Sequence, residues 1–499
     1  MPALDPQIAR ILEKLARAHE QQIETFGLRA HGYELSPPLS AGEVAALEAR
    51  LGIELPEAYR AFLCQAGASG AGPYYGMLPP ERWGDALYGD VAMPDFAARP
   101  CVWSTDTPRD EATWTARTAD LAEPFHGAIA IADQGCANYA TLVTAGPERG
   151  RVMYVSLDGG VPFFPENPDF LSWYERWLDE LLWGFEHLWF GTQMPGDEAA
   201  LAAAARPADG PRRLDALGAM HQLPRLAPET RAVVAARVRD ADPRVRSAAL
   251  QLLKAHPLAA WIDDEVRRAI DDDAAEVRLA ALEALVAADL SWHDEARRAL
   301  SDADEQVAVR ALRALHEVGA IDDETLLPLL SAASRRLRDA AVNAARTVPS
   351  PRLFDALLAI AREGNEPPAV LAVLGQVRLG DLDQSRRDAA LDLVLLRLAT
   401  ATGLEAPTAE IHGLHPFVAT HPRALEALID LTRHPEPFFR FTAATALGEV
   451  GDADALPALR ALSSDETMPK TPNTSASWSV GENARRAIAR IEASLAKRS

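Results

Sequence analysis

One ten-residue pattern returns three times without a gap: Asp240-Ala-Asp-Pro-Arg-Val245-Arg246-Ser-Ala-Ala249, Asp272-Asp-Ala-Ala-Glu-Val277-Arg278-Leu-Ala-Ala281 and Asp302-Ala-Asp-Glu-Gln-Val307-Ala308-Val-Arg-Ala311. A fourth copy, Leu337-Arg338-Asp-Ala-Ala341, keeps the phase, and a fifth, Phe439-Arg440-Phe-Thr-Ala443, comes later. The apolar anchors Val245, Val277, Val307 and Leu337 stand 32, 30 and 30 residues apart. A period of that length accommodates two short helices and a turn, a unit too small to bury its own apolar face, so neighbouring units must stack into a solenoid. The aspartates fall near helix starts, where unpaired amides favour an anion, and the small alanines let helices approach closely. About seven or eight such units are expected between residues 200 and 499, with 365–420 degenerate and 464–477 an inserted loop.

The chain before the repeats has a different composition. All eight tyrosines lie in the first 190 residues, together with seven of the ten tryptophans, whereas alanine, leucine and arginine dominate afterwards. Aromatic residues suit sheets and mixed cores, and an Ala/Leu/Arg-rich chain suits packed helices. The predicted boundary falls in the Gly-Thr-Gln-Met-Pro-Gly stretch at 191–196, giving domains at 1–195 and 196–499. Charge is divided unevenly too. Of the net −22, the first 195 residues carry −14, from 13 basic and 27 acidic side chains, and the longer remainder −8. So acidic a chain repels a phosphate backbone or an anionic membrane, and neither nucleic acid nor membrane is an expected partner.

Local patterns make the first part mixed α and β. Helical spacing runs through Ile8, Ile11, Leu12, Leu15 and Ile23. Ser40-Ala-Gly-Glu43 is a capping-box pattern that opens a second helix, which Gly52 stops, and Pro56 opens a third carrying Tyr59, Phe62 and Leu63. Gly and Pro crowd 67–80, which reads as loop. Residues 128–132, 139–144 and 151–157 are β-rich runs divided by Gly-containing turns, as in an antiparallel meander, and Asn167-Pro168 begins an amphipathic helix running through Leu182.

The stretch Glu43-Val-Ala-Ala-Leu-Glu-Ala-Arg-Leu-Gly-Ile-Glu-Leu-Pro-Glu-Ala-Tyr-Arg-Ala-Phe-Leu63, with Gly70-Ala-Gly-Pro-Tyr-Tyr-Gly76, Ile131-Ala-Asp-Gln-Gly-Cys136 and Phe170 to Leu182, resembles the SUKH superfamily, the Smi/Knr family, over roughly residues 30–185. Val-Arg-x-x-Ala at Val245 and Val277 resembles short HEAT-like repeats. Together these imply an α+β SUKH-like domain with a curved antiparallel sheet, joined to an α-α solenoid of HEAT-like repeats. Bacterial members of the SUKH superfamily often bind and neutralise a toxin, so the resemblance implies an immunity protein; a regulatory or assembly scaffold gripping endogenous proteins is the alternative. Ala68-Ser69 and Ala137 stand where the family's pattern has glycine, which leaves the detailed shape of the pocket outside what the resemblance carries.

No GxxxxGK[ST], GxSxG or HExxH motif occurs, so neither an enzyme nor a cofactor is expected. Cys64, Cys101 and Cys136 are an odd, widely spaced set and read as reduced thiols. His412, His415 and His421 form the densest histidine group, without a carboxylate or cysteine placed to complete a metal site. The opening residues lack an apolar h-region, and no apolar run reaches the roughly 18 residues of a membrane span, which points to the cytoplasm. The repeated arginines Arg246, Arg278, Arg338 and Arg440 are expected to pair with repeat aspartates and hold the stack in register. Trp173, Trp177, Trp183, Phe185, Trp189 and Phe190 are expected to pack at the junction of the two parts. The expected partner is a protein, a basic toxin domain, met by acidic groups at Asp133 and Asp158 with Tyr74, Tyr75 and Trp83 as apolar anchors.

Overall fold

The structure is a computed structural model. It describes residues 4–88, 95–119, 121, 124–186, 189–207, 209–256, 263–288, 291–363, 370, 373–374, 384–400, 407–418, 421–469 and 478–497. Two compact units make up the chain, residues 1–288 and 289–499.

In the first unit, α1 (Pro6–Glu20) starts at Asp5, whose carboxylate accepts from the amides of Gln7 and Ile8, and buries Ile8, Ile11, Leu15 and Ala18. The capping box of α2 (Ala41–Leu51) forms in both directions: Ser40 N donates to Glu43 Oε2 at 2.7 Å, and Glu43 N to Ser40 Oγ at 3.2 Å. Gly52 closes the helix at φ +66°, a left-handed conformation that costs glycine little. Helix α3 (Glu57–Gln65) follows, then the four-residue α4 (Asp85–Tyr88) and α5 (Glu111–Thr118). The sheet is an antiparallel meander in the order β1 (Ala128–Gly135), β2 (Asn138–Val143), β3 (Val152–Ser156). The glycine-rich segment expected as loop is irregular yet anchored, since bridges join Leu35 to Gly70, Gly70 to Met77 and Met77 to Ala132 of β1.

Helix α6 (Phe170–Leu182) supplies the centre of the core. Phe170 packs at 4.6 Å from the ring of Tyr59 and 5.0 Å from that of Phe62, with Trp173, Tyr174 and Trp177 enclosed beside it. On its other side Glu175 accepts from Arg10 (2.9 Å), Lys14 (2.8 Å) and Gln7 (3.0 Å) of α1. The aromatic run expected at a junction is therefore divided. Trp173, Trp177 and Phe190 belong to this core, while Trp183 and Trp189 stay exposed. Trp83, expected as an anchor for a partner, is a correction: it is 0% exposed, its indole packs 5.5 Å from the Tyr59 ring, and its Nε1 donates to Leu78 O at 3.2 Å. A large indole next to Gly and Pro was free to point either way, and the apolar hollow above Tyr59 decided the matter.

The repeats begin within the same unit as α7 (Glu198–Ala205), α8 (Arg213–Met220), α9 (Pro228–Arg237), α10 (Pro243–Ala255), α11 (Asp263–Ala269) and α12 (Ala275–Ala287). Their buried faces are the anchors and alanines of the sequence pattern, among them Val245, Ala249, Val277 and Ala281. Arg246 donates to Asp272 of the following repeat at 2.7 and 2.9 Å, and its Nη1 also takes the carbonyls of Asp240 and Ala241. Arg278 takes the carbonyls of Asp272 and Asp273 in the same way, Arg338 those of Ala332 and Ala333, and Arg440 those of His434 and Pro435. Each arginine thus braces the turn that joins the preceding helix to its own, whose carbonyls have no helical partner. Arg440 is further paired with Asp465 at 2.8 Å.

The second unit repeats this arrangement in helices His293–Ala299, Glu305–Glu317, Asp323–Leu329, Arg335–Ala345 and Pro351–Glu363, then in Gln384–Thr400, Pro407–Val418, Pro422–Leu431, Pro437–Val450, Leu456–Leu462 and Val480–Ala496. Helices Pro437–Val450 and Val480–Ala496 touch closely at Gly448, where a Cβ would lie 2.8 Å from that of Ala487. Of the inserted loop expected at 464–477, residues 470–477 lie outside the described residues, as does much of the degenerate stretch.

Candidate functional site

The hairpin turn between β1 and β2 places Cys136 and Ala137 at φ +47° and +63°, the backbone of a two-residue turn of the primed kind. Asn138 braces it by donating to the carbonyls of Cys136 (2.9 Å) and Gly135 (3.3 Å). Tyr75 lies over Gly135 so closely that a Cβ there would sit 2.7 Å from the ring, and Phe26 meets Tyr75 edge to face at 5.3 Å. Tyr74 itself is left-handed at φ +57°, and its carbonyl fits against Gly27 only because that residue has no side chain.

Beside this turn opens a cleft of about 1050 Å³. One wall is Trp114 of α5, which stacks on Trp103 at 5.5 Å and nearly parallel, and lies 3.6 Å from where a Cβ of Gly159 would be. Phe163 forms another part of the wall, with the guanidinium of Arg109 4.8 Å from its ring centre. The base is built from phenols. Tyr154 donates to Phe190 O at 3.0 Å and accepts from Trp173 Nε1 at 2.9 Å, and burial pushes its hydroxyl well above the ordinary tyrosine range. Burial likewise pushes Tyr74 up to about 12. Trp189 and Thr192, beyond α6, complete the rim, and Trp189 is 69% exposed.

The charges on the cleft are Asp110, Glu111 and Asp158 against Arg109. Asp110 caps α5 by accepting from Thr113 N at 2.7 Å, which lowers its carboxyl below the ordinary range and keeps it ionised. Glu111 and Asp158 are exposed and make no hydrogen bond or ion pair among the described residues.

Of the side chains singled out from the sequence, the fold brings Tyr74 and Asp158 to the cleft and sets Tyr75, 44% exposed, next to it. Asp133 lies two residues before the end of β1, where its carboxylate accepts from Gly135 N at 2.8 Å, and Trp83 is in the core. Sequence reasoning missed Phe26, Arg109, Asp110, Glu111, Trp114 and Trp189. The pattern Asp110-Glu111-Ala-Thr113 had the signature of a helix start and the paired Gly159-Gly160 that of a turn, but neither told which side chains would converge. Among the described residues no group of three or more His, Cys, Asp or Glu is placed to hold a metal ion. His421 pairs with Asp388 at 3.2 Å, His415 lies 4.0 Å from Glu449, and the side chain of His412 is outside the described residues.

Residues 38–176 match the SMI1 / KNR4 family (SUKH-1), and residues 413–470 match HEAT repeats. This is a SUKH domain followed by HEAT-like repeats. The SUKH match takes in the cleft lining from Tyr74 to Phe163, while Phe26 precedes it and Trp189 and Thr192 follow it. No curated protein sequence matches the chain. Solved structures similar to it include an engineered protein at 17% identity, covering 59% of this chain and 84% of that one with a TM-score of 0.34. Kap121p aligns at 14% identity over 59% of this chain with a TM-score of 0.36, and Kap95p, from a structure of its binding to RanGDP, at 11% over 59% with 0.40. The chain spans 37% of the length of Kap121p and 51% of that of Kap95p. No helix among the described residues is long and apolar enough to cross a membrane.

Proposed function

We propose that this is a non-enzymatic, cytoplasmic protein-binding protein whose SUKH domain, residues 1–195, neutralises a bacterial toxin by direct binding, with the solenoid of residues 196–499 as a second, separately folding part. SUKH and HEAT-like modules together make a protein-binding chain. The observation that carries the finer reading is the aromatic, acid-rimmed cleft in the part of the chain that concentrates a net −14. An acidic surface speeds capture of a basic protein and can cover a site meant for nucleic acid. The basic partner of choice is accordingly a nuclease-type toxin domain, met by Asp158 and Asp133 with Tyr74 and Tyr75 as anchors.

The reading frames next to the gene provide the test. A toxin encoded there, expressed alone and together with this chain, should halt growth in the first case and not in the second, and the purified pair should bind. Absence of any toxin frame, or a toxin that the chain neither binds nor counters, favours the scaffold role instead.

A further inference from the structure

We propose that the cleft between the β1–β2 turn, α5 and the segment 158–163 is a receptor for an arginine or lysine side chain presented on a loop of a basic protein partner. The identity of that partner as a toxin rests on the function proposed above; the chemistry of the cleft does not. Three observations converge. The cavity, at about 1050 Å³, is large enough to admit a long side chain together with part of the loop that carries it. Its aromatic wall already takes a guanidinium: Arg109 lies 4.8 Å from the centre of the Phe163 ring, within the range of cation–π attraction. Glu111 and Asp158 stand on the rim without a partner among the described residues, whereas Asp240, Asp272 and Asp465 of the repeats are held by arginines. With the Phe163 face held by Arg109, a cation that entered would meet the exposed indole of Trp189 and the carboxylates of Glu111 and Asp158. Trp189 adds a large, uncovered indole at the mouth, the residue type that most often dominates an interface once covered.

The base of the cleft sharpens the specificity. Tyr74, Tyr154 and Phe163 make the lower part aromatic, and the negative charge sits with Asp110, Glu111 and Asp158 on the rim. A side chain with an apolar stem and a charged head, lying across wall and rim, matches that division better than a compact cation.

The probe is a short capped peptide alternating glycine and arginine, titrated into the full chain at low and at physiological salt, with heat and tryptophan fluorescence as readouts. The same peptide with citrulline for arginine keeps the shape and removes the charge. Binding of the arginine peptide, quenched fluorescence and no binding of the citrulline form are expected. The double variant Glu111→Gln/Asp158→Asn should weaken binding by about tenfold, as two half-exposed ion pairs would. Trp189→Ala should weaken it by about threefold or more, a modest share of what a buried indole contributes, and should reduce the quenching. Glu13→Gln/Glu20→Gln, which removes the same charge from exposed positions of α1, should leave binding within about twofold, the scale of a screened surface charge. Unchanged melting curves for all variants establish that the fold is intact. Equal losses in the two double variants would reduce the effect to the overall field and overturn the cleft as the receptor; so would equal binding of the citrulline peptide, or no binding of the arginine form by the unaltered chain. In the growth assay, a Glu111→Gln/Asp158→Asn chain that protects as well as the unaltered one removes the cleft from toxin recognition and leaves immunity standing. Specific peptide binding by a chain that counters no toxin does the reverse.

Discussion

Cys136 and Ala137 both occupy left-handed backbone, a conformation that costs a non-glycine residue about 1 kcal/mol or more. Neighbouring hydrogen bonds from Asn138 hold the turn closed against that cost. Ala137→Gly should therefore raise stability by about 0.5–1 kcal/mol, seen as a higher denaturation midpoint with an unchanged slope. An unchanged or lower midpoint would show that the turn is not strained. A second residue governs the acid limb. Burial pushes the carboxyl of Glu175 up, but the bonds from Arg10, Lys14 and Gln7 outweigh it and hold the group at about 2 instead of its ordinary 4.5. Because the folded value is the lower one, the stabilisation is complete above about pH 4.5 and is lost as the pH falls towards 2. With Arg10 half in solvent the screened contribution is about 1–2 kcal/mol. Glu175→Gln should flatten the fall in stability over that window, as read from urea melts at successive pH values, and an equally steep fall would place the proton uptake elsewhere.

Helix α6 has a buried ion pair of its own. Arg176 donates to Glu180 Oε1 at 2.5 Å and to Gln193 O at 2.8 Å, so it ties the helix to the segment that leads on to the repeats. Glu180 is 1% exposed, and burial raises its carboxyl despite the neighbouring guanidinium. Arg176→Ala leaves that carboxyl alone in the core, at an expected cost of about 3–5 kcal/mol, and Glu180→Gln should cost less. The same Arg176 variant should become sensitive to proteolysis around Phe190 to Gln193; resistance there would mean that Tyr154 and Phe190 hold the segment without it. In the repeats, Ala249 and Ala281 are fully buried, so Ala249→Glu or Ala281→Glu should cost several kcal/mol by placing an unpaired charge between packed helices. Arg246→Ala should cost about 2 kcal/mol, because Asp272 keeps some access to water. Melts that ranked the arginine variant as the worse one would reverse the assignment of structural weight.

Across the whole molecule, the asymmetric charge gives a kinetic expectation. Exposed charges are screened beyond about 8 Å at physiological ionic strength, so association with a basic partner should slow as salt rises while dissociation, governed by buried anchors, changes less. A salt-independent association rate, or unchanged binding after removal of residues 1–190, would make the solenoid the recognition surface. The sequence by itself determined the solenoid, the capping box of α2 and the three-stranded meander, since periodicity, helix-start residues and turn residues act over a few positions each. The pairings of Arg246 with Asp272 and of Arg440 with Asp465 were legible too, because a period fixes each arginine relative to the next aspartate, whereas the bonds of Arg278 and Arg338 to turn carbonyls were not. Convergence across long stretches of chain is a different matter. Phe26, Asp110, Asp158 and Trp189 are dozens of residues apart and share no period, so only the packing of α5, the β1–β2 turn and the segment after α6 set them around one cleft. The direction of an aromatic side chain was likewise a tertiary decision. Trp83 found an apolar hollow above Tyr59 and turned inward, whereas Trp189 had no such hollow and remained in water.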